Sequence, residues 1–396
     1  MTNSLGNGLG IQLQSVNFII AENNNNIGDV AVGSDPGSTV DGQPDSNDKK
    51  DIENSSFEQS DAIHVLDLPP LSNSLPIPVL TTILKFLQPE EELNFGSVEP
   101  TSRNQTETRD ETLNSKGVSI NEYQYAQEWL VNNGFIKLAN NLCYIQFSQS
   151  FFQYLNKILA SRFASDDTIL KLTSLRISEN CGRTAKPNFQ RKIILKNFET
   201  PIVLFEPALT SDNLGLKTWG SSLILSELIV ENHQSLILEP VLELGAGTGL
   251  CGLTVDLLGY KDVIMTDLPE ILPNLMKNKD LNHCDAQCEV LDWTDPKSFI
   301  DTKGELTFNT IVIADPIYSS DHPNYVVNMM HKFLSKTHDA RILLQIPIRK
   351  TFENERAKLW SLLEENNFQI VDEKIIDGYD DFGAQKFIYK EIRWRI

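Results

Sequence analysis

The 396-residue chain is 40 % hydrophobic and 22 % charged, an ordinary globular composition with room for two or three domains. Its net charge is −20, from 34 basic and 54 acidic residues, and no dense basic stripe is present, which argues against direct binding of a nucleic-acid backbone. Nothing approaches ~20 consecutive apolar residues, and the apolar patch Val16–Ala21 has no basic region before it, so neither a membrane span nor a secretory signal is expected. The sparse cysteines (Cys143, Cys181, Cys251, Cys284, Cys288) lack zinc-ligand spacing and read as reduced thiols of a cytoplasmic protein.

Residues 1–60 are rich in Asn, Gly, Ser and Asp, with nine acids against two lysines, and are expected to be a disordered acidic tail. From 61 to 185 the pattern is helical. Ile77, Leu80, Ile83, Leu84 and Leu87 share one helix face before Pro89. Ser97–Gly117 is expected to be a long polar loop. Ser119 and Glu122 form an S-x-x-E capping box ahead of Tyr123, Ala126 and Leu130. Phe147–Phe163 repeats the helical pattern, and Asp166 or Asp167 can cap a last helix through Leu175. The following R-I-S-E-N-C-G-R-T-A, Arg176–Ala185, reads as a linker into a domain over 186–396. That domain begins with two short strands, Arg191–Leu195 and Pro201–Leu204, and then a helix entered at Trp219.

Val241–Gly249, V-L-E-L-G-A-G-T-G, is a short buried strand, a glycine turn and the start of a helix. Such a turn brings backbone N–H groups and a helix N-terminus close to a ligand. Leu250 stands where a dinucleotide fingerprint needs its third glycine, and no Lys follows to make a phosphate-binding loop. The remaining E-x-G-x-G-x-G, with Glu243 inside the strand, resembles motif I of the seven-strand, S-adenosylmethionine-dependent methyltransferases. Strands and helices alternate from here on. Val263–Thr266 ends in Asp267, whose carboxylate can accept from both ribose hydroxyls or else cap the helix Pro269–Asn282; its spacing from the glycines favours the ribose. Glu289–Leu291 leads into Asp292-Trp293, an acid and an indole able to meet an adenine edge and face, or a Trp simply packed on the sheet. Phe308–Ala314 opens into Asp315-Pro316-Ile317-Tyr318 at a strand's carboxyl end, where ligands of open α/β sheets bind. Helix, strand and helix follow, over Pro323–Leu334, Arg341–Pro347 and Phe352–Asn366. Two last strands, Gln369–Ile376 and Gln385–Arg393, flank the turn-rich D-G-Y-D-D-F-G and must pair antiparallel.

Together Trp219, Gly245-Ala246-Gly247, Asp267, Leu291-Asp292-Trp293 and Asp315-Pro-Ile-Tyr318 resemble the lysine-directed branch of that methyltransferase group. Arg176–Ala185, Glu206–Ser226, Met265–Glu270 and Ala314–Ser319 resemble more narrowly the fungal enzymes that modify translation elongation factor 2, a family also credited with elongation factor 3. The resemblance implies an α/β fold, a seven-strand Rossmann-like sheet with a C-terminal antiparallel hairpin. It implies S-adenosyl-L-methionine held by Trp219, Gly245, Ala246, Gly247, Asp267, Asp292, Trp293 and Ala314, with no metal. It implies catalysis by Asp315 and Tyr318 on a protein lysine, by a monomer that needs neither nucleic acid nor membrane. Asp315 is expected to orient the incoming ammonium and help its deprotonation, as base or as fixed charge. Two other readings stay open here: a nucleic-acid or glutamine N-methyltransferase, which commonly has a second proline where Ile317 stands, and a non-catalytic adaptor of the same fold.

Overall fold

A computed structural model of the chain describes residues 63–89, 92–95, 108–145, 147–210 and 214–395. The expected acidic tail, 1–60, lies outside them, as does the first part of Ser97–Gly117.

The described chain opens with helix α1 (Ile77–Phe86) and a two-residue strand β1 (Glu92–Leu93). Helix α2 (Arg109–Ser115) falls within the stretch read as loop. A second capping box explains it: Glu111 N–H meets Thr108 Oγ1, and Thr108 N–H donates to Glu111 Oε2 at 2.8 Å. Helix α3 (Ile120–Asn132) carries the expected Ser119–Glu122 box, and α4 (Ile136–Asn141) and α5 (Phe151–Leu159) follow. Asp166 caps α6 (Asp167–Glu179) through Ile169 N–H at 3.0 Å. Helix α6 passes the expected end at Leu175, because Arg176 is buried and pairs one turn on with Glu179 at 2.9 Å. The supposed linker therefore begins as helix. The apolar faces of these helices, among them Leu80, Ile83, Ala126, Leu130, Leu155 and Ile158, close on a core of their own.

Strands β2 (Phe189–Ile193) and β3 (Ile202–Glu206) pair antiparallel, and β1 adds to β2 in parallel. There follow α7 (Gly220–Leu236), β4 (Val241–Leu244), α8 (Leu250–Leu257), β5 (Val263–Asp267), α9 (Leu272–Leu281), β6 (Gln287–Val290) and α10 (Lys297–Lys303). Strand β7 (Thr310–Ala314), α11 (His322–Phe333), β8 (Arg341–Pro347), α12 (Glu353–Glu365), β9 (Phe368–Asp380) and β10 (Gly383–Trp394) complete the chain. The seven-stranded sheet has the order β6-β5-β4-β7-β8-β10-β9, with β10 antiparallel to both neighbours. Every residue of β4 and β8 is buried, as expected of parallel strands covered on both faces. Strand order reverses between β4 and β7, which opens a crevice beyond their carboxyl ends.

The C-terminal hairpin is longer than its sequence pattern predicts. Pairing of β10 with β8 begins at Phe387↔Pro347, while pairing with β9 begins at Gly383↔Asp380. The intervening residues form a two-stranded arm beyond the end of β8, so most of D-G-Y-D-D-F-G is strand and the turn is only Asp381–Phe382. Alternation is weak there, hence the misreading, and the arm reaches back over the crevice. Among the described residues no helix is long and apolar enough to cross a membrane.

Candidate active site

After β4 the chain turns through Gly245 and Gly247, both at positive φ (69° and 58°). A Cβ at Gly245 would lie 2.9 Å from Trp293 Cζ2, and one at Gly247 would lie 2.9 Å from the Gly215 carbonyl. Only glycine fits either place. Trp293 thus lies on the turn from the β6 side. The segment ahead of α7 lies on it from another, fixed by a 2.9 Å contact between the Thr218 and Thr248 hydroxyls. Ala246 is pinned between them, its N–H donating to Thr266 O at 2.9 Å.

Asp267 ends β5 and accepts from Gly247 N–H through Oδ2 and Leu268 N–H through Oδ1, each at 2.7 Å. It does not cap α9, whose first turn starts at Ile271. Burial pushes its pKa up to about 6, against the two N–H groups that favour the charged form. A carboxylate offers about four acceptor sites, so two hydroxyls can still be accommodated. Asp292 is turned on its own loop, its Oδ1 accepting from Thr294 N–H (2.8 Å) and Oγ1 (2.7 Å).

Ala314 is the last residue of β7, and Asp315 follows at φ 52°, its N–H donating to Gln345 O at 2.9 Å. That left-handed turn swings the carboxylate inward, leaving 6 % of its side chain exposed. Arg349, just past β8, grips it with both terminal nitrogens, Nη2 to Oδ2 at 2.8 Å and Nη1 to Oδ1 at 3.3 Å. Asp315, expected to orient an incoming ammonium, thus already has a cation of the protein's own against it. Burial raises its pKa to about 6 while Arg349 draws it down, so at pH 7 and above it is ionised. Tyr318 is 57 % exposed and stands edge-on to His322, with ring centroids 4.0 Å apart. His322 Nδ1, 3.0 Å from Pro316 O, clasps the turn between Asp315 and Tyr318.

Trp219 joins the two halves. Arg349 stacks 5.1 Å from its ring, Lys217 Nζ lies 4.6 Å away, and Phe382 of the hairpin arm packs at 6.1 Å. Its Nε1–H donates to Leu214 O at 3.2 Å. The structure therefore brings Gly245 onto Trp293, Gly247 onto Asp267, and Asp315 into line with Trp219 through Arg349. Sequence reasoning missed Lys217, His322, Arg349 and Phe382. Only Arg349 had a signal, the first cation past the apolar end of a strand, two residues beyond Pro347. Among the described residues no group of three or more His, Cys, Asp or Glu is placed to hold a metal.

Strand order, glycine turn and acids at three strand ends define an S-adenosylmethionine-dependent methyltransferase. The glycine cradle and the spare acceptor sites of Asp267 fit that cofactor's amino-acid and ribose parts. Residues 199–363 match the lysine methyltransferase family. The protein-lysine N-methyltransferase EFM2 of Saccharomyces cerevisiae is 39 % identical over 380 residues, covering 86 % of this chain and 89 % of that protein. The protein-lysine N-methyltransferase rrg1 of Schizosaccharomyces pombe is 32 % identical over 229 residues, covering 55 % and 74 %. The chain belongs to the lysine methyltransferase family.

Proposed function

We propose that this enzyme transfers a methyl group to a lysine side chain of translation elongation factor 2, with elongation factor 3 as a second substrate. The observation that carries the chemistry is the convergence of Gly245–Gly247, Asp267 and Asp315 at the carboxyl ends of three neighbouring strands. The choice of substrate rests on the resemblance of Arg176–Ala185, Glu206–Ser226, Met265–Glu270 and Ala314–Ser319 to the enzymes that modify that factor.

In this reading S-adenosyl-L-methionine, when bound, supplies an electrophilic methyl on a sulfonium. Gly245, Ala246 and Gly247 form the turn against which its amino-acid end lies, the N–H groups of Ala246 and Gly247 holding the turn itself in shape. Asp267 accepts from the ribose, Asp292 and Trp293 meet the adenine, and Trp219 and Ala314 close the site. These residues position and exclude water, and no metal is called for. Asp315 presents a carboxylate already paired with Arg349 to the substrate nitrogen, and Tyr318, exposed beside it, lines the path of the lysine stem.

The test is methyl transfer to purified elongation factor 2 from labelled cofactor, with mass spectrometry to locate the site. Asp315→Asn should keep cofactor affinity while turnover falls on the order of 10²-fold, the pattern of a group that acts on the reacting nitrogen. Label on RNA or glutamine instead of lysine would overturn the substrate class, and full activity of Asp315→Asn would overturn the role of Asp315.

A further inference from the structure

Asp315 already holds a guanidinium, and a substrate lysine reaches water-filled space as an ammonium, with an unperturbed pKa of ~10.4. The two facts conflict unless something decides which cation Asp315 keeps. The surroundings bear on the choice. From the segment after β8 comes Arg349, two-pronged on Asp315, with 23 % of its side chain exposed. From the segment before α7 comes Lys217, buried, its Nζ 2.8 Å from Asp381. From the end of β9 comes Asp380, whose Oδ1 accepts from Phe382 N–H at 2.8 Å. On the β7 side stand Tyr318 and His322, the latter held toward its neutral form by burial. Asp267 and Glu270 face Tyr318 from the β5 side. Arg349 is also anchored twice more: its guanidinium lies on Trp219, and its carbonyl accepts from Arg356. It is built to stay.

We propose that Arg349 is a positioning residue that keeps Asp315 charge-balanced, so that the substrate nitrogen enters as a neutral amine, an inference that rests on the lysine-methyltransferase reading above. The ammonium leaves its proton in bulk water on entry. The amine N–H then donates to a lone pair of Asp315 that Arg349 does not use, which turns the nitrogen's own lone pair toward the methyl. On transfer the N–C bond forms, the C–S bond breaks, and its electron pair stays on sulfur. The methylated ammonium that results is repelled by Arg349 and leaves. Without Arg349 a bare Asp315 would trap the lysine as an ammonium, which has no lone pair with which to attack.

The experiment is the pH profile of kcat and the substrate KM, on elongation factor 2, for wild type, Arg349→Gln and Arg349→Lys, with cofactor Kd and Tm as controls. In Arg349→Gln the midpoint of the rise in kcat with pH should move up by about one unit, a loss of about tenfold in rate below it, while KM holds or falls. Arg349→Lys should restore the midpoint, since it returns the charge. Replacing the target lysine by S-aminoethylcysteine, whose amine is less basic, should rescue Arg349→Gln more than wild type. In wild type it should move the limb to lower pH, a measurement that needs no variant to fold. An unmoved midpoint in Arg349→Gln, a raised KM with unchanged kcat, or an aminoethylcysteine substrate that leaves the wild-type limb in place would overturn the role of Arg349. Wild-type enzyme that labels no lysine would instead overturn the reading beneath it.

Discussion

Glu243 and Asp315 are both buried acids at the sheet, yet their neighbours give them opposite states. Asp315 meets a guanidinium and ionises. Glu243, 2 % exposed in the middle of β4, meets no cation but only Gly252 N–H at 2.9 Å and the Cys251 thiol, and burial pushes its pKa from 4.5 up to about 8. At neutral pH the folded protein keeps a proton there that the unfolded chain has lost. Stability linked to Glu243 is therefore whole below about pH 4.5 and declines as pH rises toward about 8. Gln has no proton to lose, and its carbonyl can still accept from Gly252. In Glu243→Gln, Tm should fall less steeply than in wild type between pH 5 and 8, by roughly that range of linkage. Thermal melts across the range check this, and parallel curves would show Glu243 to be ionised.

Among the elements, the strand–turn–helix unit of β4 and α8 is the one we propose to face the cofactor, and its turn is determined twice over. Gly245 needs positive φ, and its missing Cβ makes room for Trp293. In Gly245→Ala the left-handed backbone costs about 1–2 kcal/mol, and the indole must also shift. Cofactor Kd should rise on the order of tenfold or more, with a smaller change in Tm, as calorimetry and melting would record. Retained affinity would place the cofactor elsewhere. The hairpin arm of β9 and β10 is the second element of note, because it carries Asp381 and Phe382 from the far edge of the sheet to Trp219.

Across the whole molecule a buried charge network ties three parts together. Arg191 donates to Glu206 at 2.6 Å and to both oxygens of Asp381 at 3.0 Å. Arg183 reaches Glu206 at 3.2 Å, and Lys217 reaches Asp381 at 2.8 Å. The small sheet, the segment before α7 and the hairpin arm are thus locked to one another behind Trp219. Asp381→Asn would leave Lys217, itself wholly buried, facing no charge at 2.8 Å. Breaking a buried pair in this way costs roughly 3–5 kcal/mol, and Tm should drop by several degrees or more. Cofactor binding should weaken with it, because Lys217 and Phe382 both brace Trp219. An unchanged melt would show that the network does not hold the arm.

Local signals in the sequence determined the parts. The alternation from β4 to β8, the capping boxes, the glycine turn and the acids at strand ends all act within a few residues of chain, so they can be read without a fold. The same holds for Asp267, Trp293 and Asp315 as residues placed at or just beyond strand ends. What each carboxylate bonds to was decided by the tertiary structure alone. Arg349 is 34 residues beyond Asp315, and only the pairing of β7 with β8 brings their strand ends side by side. Phe382 lies 163 residues from Trp219 and meets it because β10 inserts between β8 and β9 and the hairpin it forms with β9 runs on past the end of β8. Such contacts depend on which strands neighbour one another, a choice made by burying whole faces at once, and no short window of sequence contains it.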